Sequence, residues 1–355
     1  MKAMPQIGVA GVTGYAGAEL ARLLLHHPRL RGAGLHFFGR ENAASSSESA
    51  RLIDLHPQLA NNNGAGELRV QPLDWDAMQH AGVELLFLAT PHEQSRTWAP
   101  EAAQRGIRVI DLSGAWRLQD AANRAIYQFE DESSAVAVAT QQAAIYGLPE
   151  LHRDAISAAK LVANPGCYAT SIILALAPLV ESGLADADHG VVCDAKSGVS
   201  GAGKAPTSKT HFMYAADNLS AYSVFAHRHT GELLEQLHLQ PEQIIFTPHL
   251  LPIPRGILST IYVTLLHKST GKEIEALYRS FYSDSPMVRI YEAGRLPQIQ
   301  YSVHTNYCDL GFALAPDGKR LIIVSCLDNL LKGAAGQAVQ NMNLMLDWAE
   351  QEGLA

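Results

Sequence analysis

Cys167 stands in Asn164-Pro165-Gly166-Cys167-Tyr168-Ala169-Thr170, directly after the apolar run Leu161-Val162-Ala163 and before Ser171-Ile172-Ile173-Leu174. A short strand, a Pro-Gly turn and a helix start place its sulfur where unsatisfied backbone N–H groups converge, which favours thiolate over thiol. That is the setting of a nucleophile; the ordinary alternative is a small buried side chain that fills space. Further along, His227-Arg228-His229 precedes Thr230-Gly231-Glu232-Leu233. If 227–229 is extended, both imidazoles face one side and Thr230 caps a helix, so either ring could serve as acid or base near neutral pH. The pair could equally be incidental among 15 histidines. No further His, Asp or Cys falls at a ligand spacing, and no metal is expected.

Hydride chemistry would need a dinucleotide, and the first residues read as its cradle. Residues 7–10 form a buried strand, Gly11-Val12-Thr13-Gly14-Tyr15-Ala16-Gly17 a glycine loop, and 18–25 a helix with an apolar stripe. In that order, Gly11, Thr13, Gly14, Tyr15, Ala16 and Gly17 can meet a pyrophosphate while the helix start turns N–H groups toward the anion. The spacing is G-x-x-G-x-x-G, and a tight ligand-free connection would use the same residues. A second strand over 35–38 ends at Gly39-Arg40. An arginine there suits the 2′-phosphate of NADP(H), whereas NAD calls for an acidic residue on the ribose.

Those motifs need a scaffold. Residues 83–89 and 107–112 read as buried strands flanking a helix over 95–105, and they end at Thr90-Pro91 and Ser113. Ligands bind beyond the carboxyl ends of such strands, which makes Thr90, Pro91 and Ser113 candidates for a cofactor crevice. A strand over 190–195 runs into Lys196-Ser197-Gly198-Val199-Ser200-Gly201-Ala202-Gly203-Lys204, a small-residue loop between two cations. It could present N–H groups to a phosphate or nicotinamide, or act as a plain crossover. Asn329 precedes the small residues at 333–336, and would reach a nicotinamide amide if the last helix, through about 348, returns to the first domain.

At 355 residues, with 47% hydrophobic and 17% charged residues, the chain is long enough for two folded domains. The expected fold class is α/β: a Rossmann-type parallel-sheet domain at 1–166 plus 328–355. A second, α+β domain at 167–327 carries a mixed or antiparallel sheet built from strand-like segments at 259–266, 288–291, 306–314 and 320–326. A net charge of −8 gives no general attraction to nucleic acid or to an anionic membrane, leaving small molecules as partners. Cys167, Cys193, Cys308 and Cys326 are far apart with no C-x-x-C pair, as for free thiols in a reducing compartment. No apolar run reaches membrane-spanning or signal length, so a cytoplasmic location is expected.

Read jointly, these pieces resemble the N-acetyl-gamma-glutamyl-phosphate reductase family. The likeness is carried by residues 11–20, Ile110-Asp111-Leu112-Ser113, Tyr146-Gly147-Leu148-Pro149-Glu150, 163–170, 197–203 and His227-Arg228-His229. Phe246-Thr247-Pro248-His249-Leu250 with Arg255-Gly256 and residues 328–345 complete it, in order along nearly the whole chain. The resemblance implies NADPH as reductant, N-acetylglutamyl phosphate as a small-molecule acyl-phosphate substrate, and a homo-oligomer, dimer or tetramer. It implies attack by Cys167, a thioester, and hydride delivery to that carbonyl, with His227 as the first choice for the proton and His229 in support. Ser197, Gly198 and Asn329 would serve the cofactor, and Ser113, Arg117, Asn164 and Lys204 the substrate.

The chain departs from the family pattern in three places. Thr90-Pro91-His92-Glu93 stands for the common Leu-Pro-His-Gly, Ser113-Gly114-Ala115-Trp116-Arg117 for Ser-Ala-Asp-Phe-Arg, and Gly231 for a proline. The same thiol and hydride steps would serve a reductase of aspartyl phosphate or of a carrier-linked aminoadipyl phosphate. A non-catalytic NADP sensor would need the glycine loop without Cys167, and a thiol hydrolase would need Cys167 and His227 without the loop.

Overall fold

Val83-Glu84-Leu85-Leu86-Phe87-Leu88 is buried at every position but Glu84. A strand with no face left for water belongs inside a parallel sheet that helices cover on both sides. The computed structural model describes residues 4–30, 34–39, 50–61 and 64–354. Arg40 lies outside the described residues. The chain divides into two compact units: Met1–Gln119, Gln128–Pro165 and Ala334–Ala355 form the first, and Asp120–Tyr127 and Gly166–Gly333 the second.

The first unit has strands β1 (Gln6–Ala10), β2 (Leu35–Gly39), β3 (Val70–Pro72), β4 (Val83–Leu88), β5 (Arg108–Asp111), β6 (Ala144–Tyr146) and β7 (Leu161–Ala163). Among the described residues they make one sheet of order β3-β2-β1-β4-β5-β7-β6. Every pairing in it is parallel. This is the expected Rossmann-type sheet. The order reverses direction between β1 and β4, where open parallel sheets hold their ligands. Helices Tyr15–His26, His92–Gln104 and Pro149–Ala158 follow strands, and Gly336–Met345 comes from the chain's end. That last helix stops at Met345, short of the expected 348, with Leu346 as its cap. Two of its buried amides are bonded through their NH2 groups, Gln337 and Asn341 both donating to the carbonyl of Gly147, which offsets part of the cost of hiding an amide while Oε1 of Gln337 and Oδ1 of Asn341 stay without a partner among the described residues.

The second unit contains β8 (Val191–Gly198), β9 (Ser220–Ala221), β10 (Ile244–Leu251), β11 (Ile257–Thr264), β12 (Val288–Ile290), β13 (Cys308–Leu314) and β14 (Arg320–Leu327). Their order is β12-β13-β14-β11-β8-β10-β9, and the sheet is mixed: β8 pairs parallel with β10 and antiparallel with β11. Burial alternates along β8, β10 and β11, as for a sheet packed on one face. The helix Cys167–Glu181 is buried at every residue from Tyr168 to Leu179. The hydroxyls of Tyr278 and Tyr282 donate to its carbonyls at Ala175 and Leu174.

Two local expectations change. Residues 227–229 form a turn, not an extended run, because the N–H of Thr230 donates to the carbonyl of His227 and that of His229 to Nδ1 of His227. His229, not Thr230, occupies the N-cap of the helix Thr230–Leu237. The expected strand over 190–195 runs on to Gly198, which puts Ser197 and Gly198 at a strand end and starts the loop at Val199.

Candidate active site

Within the first unit, the glycine loop joins β1 to the helix Tyr15–His26. Gly11 has φ +88, and a side chain there would collide with the carbonyl of Ala89. A Cβ on Gly17 would strike the carbonyl of Gly11 and come 2.8 Å from Cα of Val12. Packing alone demands these two glycines. Gly14 is different: a Cβ there would meet only the Gly11 oxygen, at 3.8 Å. Nothing in the fold requires a bare Cα at Gly14, whereas a pyrophosphate drawn close to the helix start would. Gly14 is also the N-cap and supplies no side-chain cap, so the first-turn N–H groups at Tyr15, Ala16 and Gly17 fit an anion. Thr13 lies beside Gly39 at the end of β2, and Thr90 beside Gly11, while Pro91 caps the helix His92–Gln104. These residues fit a dinucleotide.

Behind this edge runs a chain of hydroxyls around one carboxylate. Thr90 Oγ1 lies 3.2 Å from Ser95 Oγ, which donates to Asp111 Oδ1 at 2.7 Å; Ser113 Oγ donates to Asp111 Oδ2 at 2.8 Å. Asp111 is fully buried, and burial raises its pKa against the pull of those donors. Ser113 is thereby a cap on β5. Arg117 donates from Nε to the carbonyl of Asn164 at 2.7 Å and from Nη2 to that of Leu112 at 2.9 Å. Asn164 is itself fully buried, bonded to Asn341 and to the carbonyl of Ala334. Arg117 and Asn164 together fix the ends of β5 and β7, just before the Pro165-Gly166 turn.

Within the second unit, Cys167 opens its helix after the N-cap Gly166 and is partly exposed, while Cys193, Cys308 and Cys326 are buried. Burial raises the thiols of Cys193 and Cys326, which keeps them protonated. The ring of His229 lies on Gly166: a Cβ at 166 would fall 2.6 Å from both Cδ2 and Cε1 of His229. Glu232, fully buried, accepts the Gly166 N–H at 2.8 Å through Oε2, and its Oε1 is 4.0 Å from Nε2 of His229. The Gly166-Cys167 turn, the imidazole and the carboxylate form one constellation.

His227 sits behind it. Its ring centroid is 4.6 Å from that of His229 and 5.2–5.6 Å from those of Phe246, Tyr168 and Tyr222. Burial, and then the neighbouring Arg228 charge, lowers its pKa to about 4. A neutral ring whose Nδ1 accepts the His229 N–H is left with its hydrogen on Nε2. Tyr168 donates to the carbonyl of His249 at 2.7 Å, and burial raises its phenol and pushes that of Tyr222 up to about 12.

The other expected residues are spread out. Ser197 is buried at the end of β8, and a Cβ on Gly198 would meet the Arg255 N–H nitrogen at 2.7 Å. Asn329 accepts the Gly256 N–H through Oδ1 and donates through Nδ2 to Ser200, so both ends of its amide hold loops. Lys204 lies on an exposed loop. Glu232 is not among the residues that the sequence motifs point to; its signal is its position, three residues after His229 and hence on the same face of a helix start. Among the described residues no group of three or more His, Cys, Asp or Glu side chains is placed to hold a metal ion. No described helix is long and apolar enough to cross a membrane.

Comparison with known proteins finds two family models along the chain. Residues 6–159 match the family model for the semialdehyde dehydrogenase NAD binding domain, and residues 167–329 that for the semialdehyde dehydrogenase dimerisation domain. The chain is 41% identical to the N-acetyl-gamma-glutamyl-phosphate reductase of Brevibacillus brevis over 99% of this chain and 98% of that protein. It is 42% identical to the enzyme of that name from Desulforapulum autotrophicum, with the same coverage. With that of Bacillus subtilis it shares 41% over 98% of both chains. Among solved structures, aspartate semialdehyde dehydrogenase II of Vibrio cholerae, complexed with ASA, aligns with a TM-score of 0.70 at 18% identity, over 96% of this chain and 98% of that one. The Candida albicans enzyme with NADP aligns at 0.66 and 15%, over 97% and 99%. At such identities the structures speak for the fold, and the sequence relatives decide the family. The chain belongs to the N-acetyl-gamma-glutamyl-phosphate reductase family.

Proposed function

We propose that this chain catalyses the NADPH-dependent reduction of N-acetyl-L-glutamyl 5-phosphate to N-acetyl-L-glutamate 5-semialdehyde and phosphate, a step of arginine biosynthesis. The curated relatives of that name, at 41–42% identity over almost their whole length, support the substrate. The observation that carries the chemistry is the packing of His229 on Gly166, next to Cys167.

The Cys167 thiolate attacks the acyl carbon, the C–O bond to phosphate breaks, and a thioester forms on the sulfur. His229 takes the thiol proton, and the Glu232 carboxylate faces the ring that becomes charged. Bound NADPH would supply the hydride that reduces the thioester carbon. The backbone N–H of Cys167, at the helix start, stabilises the developing oxyanion, a contribution of about 3 kcal/mol for one such donor. His229 gives its proton to that oxygen and takes it back as the carbonyl re-forms and the C–S bond breaks, freeing the aldehyde and leaving the thiolate beside the imidazolium. His227, neutral and anchored in its aromatic nest, supports His229; this reverses the order of the two histidines expected from sequence. Gly11, Thr13, Gly14, Tyr15, Ala16, Gly17, Thr90 and Pro91 hold the dinucleotide, Arg40 its 2′-phosphate, and Ser197 and Gly198 the nicotinamide side. Ser113, Arg117 and Asn164 shape the substrate end, with Asn329 holding loops and Lys204 offering charge.

The proposal includes a cytoplasmic homo-oligomer. Ile245, Val192, Tyr262 and Ile322 are exposed in one registered row across β10, β8, β11 and β14, an apolar stripe suited to a second copy. The test is phosphate-dependent reduction of NADP by N-acetylglutamate semialdehyde, read at the nicotinamide absorbance. Cys167→Ser should abolish it while NADPH still binds; turnover by the serine variant, or a preference for aspartate semialdehyde, would overturn the reading.

A further inference from the structure

Asp328 follows β14 and is fully buried. A buried carboxylate is costly unless charge and hydrogen bonds surround it, and here every approach is filled. Oδ1 accepts from Arg255 Nη2 at 3.1 Å and from the N–H groups of Leu330 at 2.8 Å and Leu331 at 3.2 Å. Oδ2 accepts the His304 N–H at 2.8 Å, and His304 holds φ +66, a left-handed backbone uncommon outside glycine. One side chain therefore gathers the turn between β10 and β11, the segment before β13, and the start of the chain beyond β14. Asn329 extends the grip to Gly256 and Ser200.

What this corner holds in place is Gly333. Its N–H donates to the Asp328 carbonyl at 2.9 Å, within a single π-helical turn at Leu331–Ala335. Such turns are rare, and where they occur they often mark functional sites. A Cβ on Gly333 would sit 2.7 Å from Cβ of Cys167 and 3.3 Å from its Cα. The wall against which the nucleophile's side chain rests is thus a bare backbone, set by Asp328.

We propose that Asp328 is a positioning residue for Cys167, acting through Gly333. This rests on the reading of Cys167 as nucleophile. Asp328 touches no reacting atom; it fixes the backbone that limits where the sulfur points, and sub-ångström errors there are amplified in the rate.

The test uses the full-length native protein, Asp328→Asn and Gly333→Ala, with two readouts. One is the pH profile of iodoacetamide alkylation at Cys167, located by peptide mass, which needs no substrate. The other is kcat, KM and NADPH binding. We expect both variants to bind NADPH as the native protein does, to show an altered alkylation plateau or midpoint, and to lose about 10- to 100-fold in kcat with little change in KM. A purely structural role would lower the melting temperature and leave the alkylation profile and the kcat of the folded protein unchanged, which would overturn the proposal. Loss in Asp328→Asn with native behaviour in Gly333→Ala would also overturn it, because the route through Gly333 would be wrong. If Asp328→Asn does not fold, Asp328→Glu, which keeps the charge and displaces it, is measured in its place, because Gly333→Ala crowds Cys167 whether or not Asp328 acts. A native protein that fails to reduce the acyl phosphate, with both variants altered in alkylation, would sink the functional reading and leave the positioning intact.

Discussion

The imidazole of His229 occupies the space where a side chain on Gly166 would be, so the residue before Cys167 is glycine because a ring lies on its Cα. Its φ of −73 is open to any residue, and backbone freedom is not the reason. Gly166→Ala should push the ring off the turn and lower kcat about 100-fold while NADPH affinity stays native. Steady-state kinetics beside a cofactor titration would check this, and a native kcat would show the ring to be uninvolved.

Glu232 joins the same turn to the same ring. In Glu232→Gln an oxygen can still accept the Gly166 N–H, but the negative charge facing His229 is gone. The expected loss in kcat is about 10- to 100-fold, with a smaller loss for Glu232→Asp, measured at a pH where the native enzyme is fully active.

His227 gives a pH signature in stability. Its folded pKa of about 4 lies below the ordinary 6.5, so between those values the unfolded chain binds a proton that the folded chain refuses. Stability is therefore full above pH 6.5 and falls as the pH drops toward 4, by at most about 1.4 kcal/mol per unit from this group. His227→Asn, whose side-chain oxygen can accept the His229 N–H, should flatten that slope. Urea unfolding at pH 7 and pH 5 would reveal it, and an equal pH dependence in both proteins would contradict it.

Arg40 follows β2, beyond the described residues, and its expected role rests on sequence position alone. Arg40→Asp should shift the preference from NADPH toward NADH, since a carboxylate repels the 2′-phosphate. An unchanged ratio of kcat/KM values for the two cofactors would remove the assignment.

The parts of this site that were legible in the sequence are those fixed by local chemistry. A strand, Pro165-Gly166 and an apolar helix announce the place of Cys167, and the loop 11–17 announces a dinucleotide, because both patterns are short-range. Strand-like runs likewise show β8 and β11 to β14 of the second sheet, whereas β9 and β10 are not among those the sequence predicts. Glu232 and Asp328 stayed hidden because their meaning lies in partners 66 and 73 residues away, Gly166 and Arg255. The sequence predicts an extended 227–229 because nothing in His-Arg-His itself signals that a ring nitrogen of the first accepts the N–H of the third. The position of Asn329 predicts a cofactor contact, and its two internal bonds depend on loops that only the assembled sheet brings near.

The helix that carries Cys167 at its first residue is buried around its whole circumference from Tyr168 to Leu179. It has no solvent-facing side on which to rock, so the sulfur of Cys167 is mounted on a rod held from every direction. Its amides should be among the slowest to exchange with deuterium, and heat should cost the enzyme its activity only when that whole interior melts.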